Sequence, residues 1–201
     1  MYHTLSDRWR LIALGVSLAA LAWPPLAAGQ NARGQARAVQ AVVAGAFGTT
    51  TTALADTGTF GDSNDAREAS QLTGDIPSLL TASVLHATAI GWPDQVDSEA
   101  SLADLVLIIA GTTIGADFIQ SRAQAIQGAG GAGAVSVEDL SINGLPIAVA
   151  GNPNETILIP GGRVVINEQQ TTATGAVVNA LHVIVYGVAD VVIGSATAQL
   201  Q

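Results

Sequence analysis

Few side chains in this chain stand at spacings that do chemistry. Beyond residue 29 the only histidines are His86 and His182. Each follows a Leu in an apolar run and precedes a Gly by five positions. A base or a metal-binding imidazole needs partners, and no HxH, HExxH or CxxC pattern supplies them. Both histidines therefore read as structural. A serine nucleophile would sit in a GxSxG elbow, which is missing, and Gly194-Ser195-Ala196 falls in an expected strand. Asp94, Asp97 and Glu99 read as solvated residues of one loop, and Glu138-Asp139 as the flank of a strand. No catalytic residue is assigned, and the expectation is a protein that is not an enzyme.

Weaker candidates exist for binding. Asp62, Asn64, Asp65 and Glu68 bring oxygen donors close together, as a calcium loop does. The EF-hand pattern fails there, because Ala66 takes a ligand position and the turn Gly is missing. An ordinary polar turn explains the same residues. Calcium is the one cofactor in view. Trp92, in the turn Gly91-Trp92-Pro93-Asp94, is a candidate ligand contact. Asn167 and Glu168 are two more. Period-2 alternation puts Glu168 on the face of Val164 and Ile166, where a carboxylate must find hydrogen bonds. Asn154-Glu155-Thr156 matches a glycosylation sequon and reads as a turn.

The elements that position these residues follow an export signal. Arg8 and Arg10 precede the uncharged apolar run Leu11 to Trp23; Pro24-Pro25 break it, and Ala27-Ala28-Gly29 offer a cleavage site. Residues 1–29 thus read as a signal peptide with its helix, too short to span a bilayer comfortably. Arg8-Trp9-Arg10 holds no Arg-Arg pair, which favours the general export route. The chain has no Cys, which excludes both a disulfide scaffold and a lipoprotein anchor.

The whole chain holds 7 basic residues, all Arg, against 16 acidic ones. Removing residues 1–29 takes Arg8, Arg10 and Asp7 and leaves 5 against 15, a net of −10. Nucleic acid and anionic membrane surfaces are poor partners for that charge. Without Lys there is no Lys-based Schiff base, general base or isopeptide bond. The remaining aromatics are Phe47, Phe60, Trp92, Phe118 and Tyr186, too few for a broad glycan-stacking face.

Residues 30–201 read as one domain, with halves at about 34–127 and 134–201. Gly128 to Gly133 reads as a mobile Gly/Ala linker between them. Strands are expected over Ala36–Ala46 and Thr49–Asp56. Gly58–Gly74 reads as a loop. Pro77 to Leu80 could start a short helix before a strand over Val84–Ile90. Ser98–Ala110 pairs with Ala116–Ala125. Asn143-Gly144 supplies the positive φ of a tight hairpin turn, and Pro146 marks a strand that is an edge or carries a bulge. Thr156–Ile159 pairs with Arg163–Gln169, and Ala176–Tyr186 with Ala189–Ala198.

One hairpin pattern occurs twice, in Ala103–Ala125 and Asn179–Gln199. Leu105, Leu107, Ile108 and Gly111 match Leu181, Val183, Ile184 and Gly187. A link three residues longer in the first copy then aligns Ala116-Asp117 with Ala189-Asp190. Leu105 to Ile109 is apolar on both faces and predicts a strand buried on both sides. From Ser121 and Ser195 onward small residues alternate with polar ones, which predicts close approach of another sheet or loop. The fold expected is all-β, an antiparallel β-sandwich-like domain of two related halves, with a β-solenoid as the alternative.

The segment SINGLPIAVAGNPNETILIPGGRVVINEQ (Ser141–Gln169), with VNALHVIV (Val178–Val185) and ADVVIGSA (Ala189–Ala196), resembles the bacterial choice-of-anchor P proteins. Gly74–Ala89 and Ser98–Leu105 fit more loosely. The resemblance implies an exported or cell-surface protein with no established reaction; together with the export signal and the lack of a catalytic constellation, it leads to the expectation of a structural or adhesive protein. It also implies sorting signals that differ between members; here no apolar helix, basic tail or LPxTG-like motif follows the last strand, which suggests a released or non-covalently held protein. Self-association or a cell-surface component is the partner expected. The alternative is an extracellular ligand-binding module for a polysaccharide or calcium. Export of the full chain from a bacterial host should yield a product starting at or near residue 30, as read by intact mass; a product retaining Met1 would refute the leader.

Overall fold

The computed structural model describes residues 31–46 and 48–200; the expected signal peptide and its helix lie outside them. Thirteen strands follow in order. They are β1 (Ala32–Gly45), β2 (Gly48–Asp56), β3 (Ala66–Ile76), β4 (Leu80–Gly91), β5 (Gln95–Ile109), β6 (Thr112–Ile126) and β7 (Gly130–Glu138). The remainder are β8 (Ser141–Ile142), β9 (Leu145–Pro146), β10 (Glu155–Ile159), β11 (Gly162–Thr172), β12 (Gly175–Val185) and β13 (Ala189–Leu200). There is no helix among the described residues.

The fold is an antiparallel sandwich. One sheet has six strands in the order β10-β11-β12-β13-β1-β2. The other has seven, β3-β4-β5-β6-β8-β9, with β7 also paired to β6. Every pairing is antiparallel, so the solenoid alternative is not what forms. The halves of the chain do not map onto the sheets. β1 and β2 join the strands of the second half, with Ala32 opposite Leu200. The two repeated hairpins, β5–β6 and β12–β13, lie in opposite sheets and pack on each other.

Their first arms match, and both turns place a glycine at positive φ, Gly111 and Gly187. The second arms do not align as the sequence suggests. Ala116 pairs with Leu105 well inside β6, whereas Ala189 opens β13 opposite Val185. The first turn is in fact the shorter, because Thr112 already pairs with Ile109.

Side-chain alternation reverses part-way along the long strands. In the six-stranded sheet Ala38, Ala55, Asn167, Ala180 and Gly194 drop out of the ladders and turn inward. Ala55, Asn167 and Gly194 have left-handed φ of 46°, 53° and 61°. In the other sheet the irregular residues Val84 and Asp104, each at φ 49°, point outward. An L residue enters this region only where its surroundings hold it. The reversal corrects the doubly buried strand expected at Leu105–Ile109. Leu105, Leu107 and Ile109 face the core, while Val106 and Ile108 are 42% and 53% exposed.

Three further expectations change. Ala66–Ile76 is strand β3 rather than loop; as an edge strand it is solvated on both faces, and its polar sequence hides the alternation. Pro77 to Leu80 forms a tight turn in which the Leu79 N–H bonds to the Ile76 carbonyl at 2.9 Å, too short a segment for a helix. Gly130 to Gly133 is paired strand, not a mobile linker. Its glycines serve close packing. A Cβ on Gly131 would overlap the Gly175 carbonyl, and one on Gly133 would lie 2.5 Å from Val178 Cγ2. The hairpin at Asn143-Gly144 is present, with φ of 52° and 75°, and Pro146 sits on an edge strand.

The core has two characters. Around Leu102, Leu105, Leu107, Ile114, Ile119, Ile166, Leu181, Val183, Val191 and Ile193 it is built of large aliphatic side chains. Toward the other end it narrows to alanines, among them Ala87, Ala89, Ala100, Ala123, Ala125, Ala196 and Ala198. There the sheets come close enough for Ser98 Oγ on β5 to donate to the Thr197 carbonyl on β13 at 2.7 Å. The small residues beyond Ser121 and Ser195 thus admit the opposite sheet, as expected from sequence. Phe60 closes this end, 1% exposed, with its ring against Gly34 and Gly91. A Cβ at Gly34 would lie 2.6 Å from the ring. Phe60→Ala should cost about 3–5 kcal/mol in urea unfolding, and Gly34→Ala should also destabilise because backbone or ring must move. Exposed Thr51→Ala should shift the midpoint little; a Phe60→Ala protein as stable as the parent would overturn this packing account.

Candidate functional site

The outer face of the seven-stranded sheet carries two aligned rows of side chains near Trp92. Thr88, Glu99, Arg122 and Ala134 form one row across β4, β5, β6 and β7. Ile90, Asp97, Gln124 and Ala132 form the next. On β4, β5 and β6 these side chains all reach beyond Cβ; on β7 they are methyl groups. The difference leaves a cleft of about 460 Å³, with Trp92 beside it and 39% exposed.

The polar groups of the cleft are held in place. Gln124 Nε2 donates to Asp97 Oδ1 at 2.8 Å, and the Gln95 amide donates to the other Asp97 oxygen. Gln120 Nε2 donates to Glu99 Oε1 at 2.7 Å. The Arg122 guanidinium pairs with Glu99 Oε2 at 2.8 Å, its side chain 60% exposed. Each carboxylate oxygen keeps acceptor capacity beyond these bonds. Sequence reasoning placed Asp97 and Glu99 in a loop with Asp94. They belong to β5, and only Asp94 lies in the turn. The signal was in the sequence as the alternating pairs Asp97–Glu99 and Arg122–Gln124, which period 2 puts on one face.

Asn167 and Glu168 lie elsewhere, on β11. Asn167 is buried, and its Nδ2 donates to the Gly151 carbonyl at 3.0 Å while its Oδ1 accepts from Gln169. Its left-handed φ reverses the alternation, so Glu168 faces outward and not with Val164 and Ile166. There Glu168 Oε2 accepts from Asn179 Nδ2 at 2.7 Å and meets His182 Nδ1 at 2.9 Å. The other ring nitrogen of His182 meets Asp190 Oδ1 at 2.9 Å. His182 thus lies between two carboxylates, one on each side of its ring. A chain of polar side chains thereby ties β11, β12 and β13 together. Sequence reasoning gave His182 a structural role but missed Asp190 as its partner. Asn154, of the sequon, accepts the Gln169 N–H at 3.0 Å and closes the same loop.

The calcium candidates are spread along a turn and a strand. Asp62 and Asn64 lie in the turn before β3, and Asp65 pairs with Arg67 at 3.1 Å. Glu68 is on β3, where its carboxylate accepts from Ser70 Oγ at 3.0 Å beside His86. Among the described residues no three His, Cys, Asp or Glu side chains gather as a metal-binding set.

No protein-family model, curated protein or solved structure matches this chain.

Two carboxyls are electrostatically tuned. Burial pushes Glu168 upward, but the bonds from Asn179 and His182 and the charges of His182 and Arg163 outweigh it, leaving its pKa below the ordinary 4.5. Burial likewise opposes ionisation of Asp56, and its bonds from Gln35 and Gly58 with the Arg37 ion pair hold it below 3.8. A carboxyl with a lowered folded-state pKa adds stability above its unfolded value, and that stability disappears as pH falls through the folded value. Thermal midpoints should therefore be flat down to about pH 5 and fall steadily at more acidic pH. Glu168→Gln should lower the midpoint at pH 7 and shrink the loss on acidification. Equal pH slopes for parent and variant would remove Glu168 from this role.

Proposed function

We propose that the protein is an exported bacterial cell-surface or extracellular-matrix protein of structural or adhesive type. The carrying observation is the state of the sheet edges. β10 ends one sheet and presents Leu158, 82% exposed; β3 ends the other and presents Leu72, 80% exposed. An open strand edge offers a row of unpaired backbone groups, and a large apolar side chain on it adds an anchor for an added strand. Charged gatekeepers normally blunt such edges; β3 carries Arg67, Glu68 and Asp75, whereas β10 carries Glu155 at its start and no charge from Thr156 to Ile159. The export signal at residues 1–29 and the resemblance of Ser141–Gln169 to choice-of-anchor P proteins support the same reading.

A second reading, an extracellular module binding a polysaccharide or calcium, is favoured by the cleft beside Trp92. Light scattering with negative-stain microscopy on the exported protein, with and without calcium, separates the two. Oligomers or filaments that Leu158→Lys or Leu72→Lys dissolves are the outcome expected of the structural reading. A monomer at every concentration and calcium level would count against it and leave the binding module.

A further inference from the structure

The cleft beside Trp92 has the composition of a sugar subsite. We propose that it binds one neutral, hydroxyl-rich sugar unit of an extracellular polysaccharide, an inference that rests on the binding-module reading. A pyranose has two kinds of surface. Its faces carry C–H groups that pack against an aromatic ring; its rim carries hydroxyls that both donate and accept. The cleft supplies partners for each. Trp92 is a large ring left part-exposed in a chain that buries Phe60 almost completely. The rim partners are a carboxylate–amide pair, Asp97 with Gln124, and a carboxylate–guanidinium pair, Glu99 with Arg122. Thr88 adds a hydroxyl and Ile90 an apolar patch.

These groups are already ordered. Gln95, Gln120 and Gln124 lock the two carboxylates, so a ligand need not freeze them. Ordering before binding removes a cost that a mobile surface would impose on the complex. The backbone beneath is a four-strand ladder, more rigid than a loop. At about 460 Å³ the cleft falls within the ~300–1,000 Å³ typical of small-molecule sites.

Charge selects the ligand. Asp97, Glu99 and Arg122 sum to −1 in the cleft, and the whole chain is at −9. A uronate or sulfated unit would meet repulsion that a neutral unit does not. A single ring also fixes the scale: one stacked unit, with neighbouring units of the polymer running across Thr88 and Arg122. Affinity for an isolated unit should be weak, and avidity would come from many copies along a polymer.

The test is calorimetric titration of the full chain with neutral gluco- and galacto-oligosaccharides, a uronate oligomer and calcium chloride. Parent, Trp92→Ala, Gln124→Ala and Tyr186→Ala proteins are compared. Tyr186 is an exposed aromatic residue at the opposite hairpin and serves as control. The proposal expects a neutral oligosaccharide to bind, Trp92→Ala and Gln124→Ala each to weaken it by about tenfold, and Tyr186→Ala to leave it unchanged. Circular dichroism checks that each variant is folded. Binding of the uronate oligomer alone, lost in Trp92→Ala, would overturn the neutral-sugar class while keeping the module. Binding that survives Trp92→Ala would overturn the site. No heat with any probe would overturn both the inference and the module reading.

Discussion

The structure depends on how closely its two sheets approach at the alanine-lined end. Aliphatic cores tolerate changes of shape, because large side chains can repack. The cluster at this end is mostly alanine, with Phe60, Val96, Val178 and Leu200 as its larger members, and has little to repack. Its spacing is set by backbone and Cβ atoms, and the bond from Ser98 Oγ to the Thr197 carbonyl fixes it directly. An added methyl on Gly131 or Gly133 would collide with β12 of the opposite sheet, and one on Gly34 or Gly91 with the Phe60 ring. Phe60 packs its ring against Gly34 and Gly91 at this end. The large-residue end then follows as the sheets diverge and Leu, Ile and Val fill the widening gap.

The same constraint shapes the outer surface. β7 lies against β12, and glycines on its inner face alternate with Ala132 and Ala134 outside. The Trp92 cleft exists because that strand carries no long side chains. Close packing inside and a depression outside are thus two effects of one Gly/Ala stretch. The reversal of alternation has a similar reach. It turns Glu168 outward toward His182, and it sends Val106 and Ile108 to the solvent face.

The fold class was legible because periodicity and turn chemistry are local. Asn143-Gly144, Pro160-Gly161 and the apolar runs around Leu181 and Val191 sufficed for it. Tertiary events were not legible. A Gly/Ala run reads as a flexible linker unless the sheet it touches is known, and β3 reads as loop because both its faces are wet. Asn167 is of a type that favours the left-handed region, but Ala55 and Val84 enter it without any mark in their residue type, and face assignments past such residues invert. The site was legible only in part. Trp92 stood out by type. Its neighbours Glu99 and Arg122, twenty-three positions apart in sequence, meet only through the β5–β6 register. His86 and His182 were rightly seen as lacking motif partners, yet strand pairing supplies carboxylates to both.

The pairing of β1 with β13 sets an order of events in time. Residues 32–43 lie against residues 189–200, so the first strand made is completed only by the last. Until that strand arrives β1 has only β2 to lie against, and the chain must close nearly its whole length to finish the sheet. Such long closures fold slowly. In a chain synthesised from its N-terminus, the six-stranded sheet therefore stays incomplete until β13 has been made.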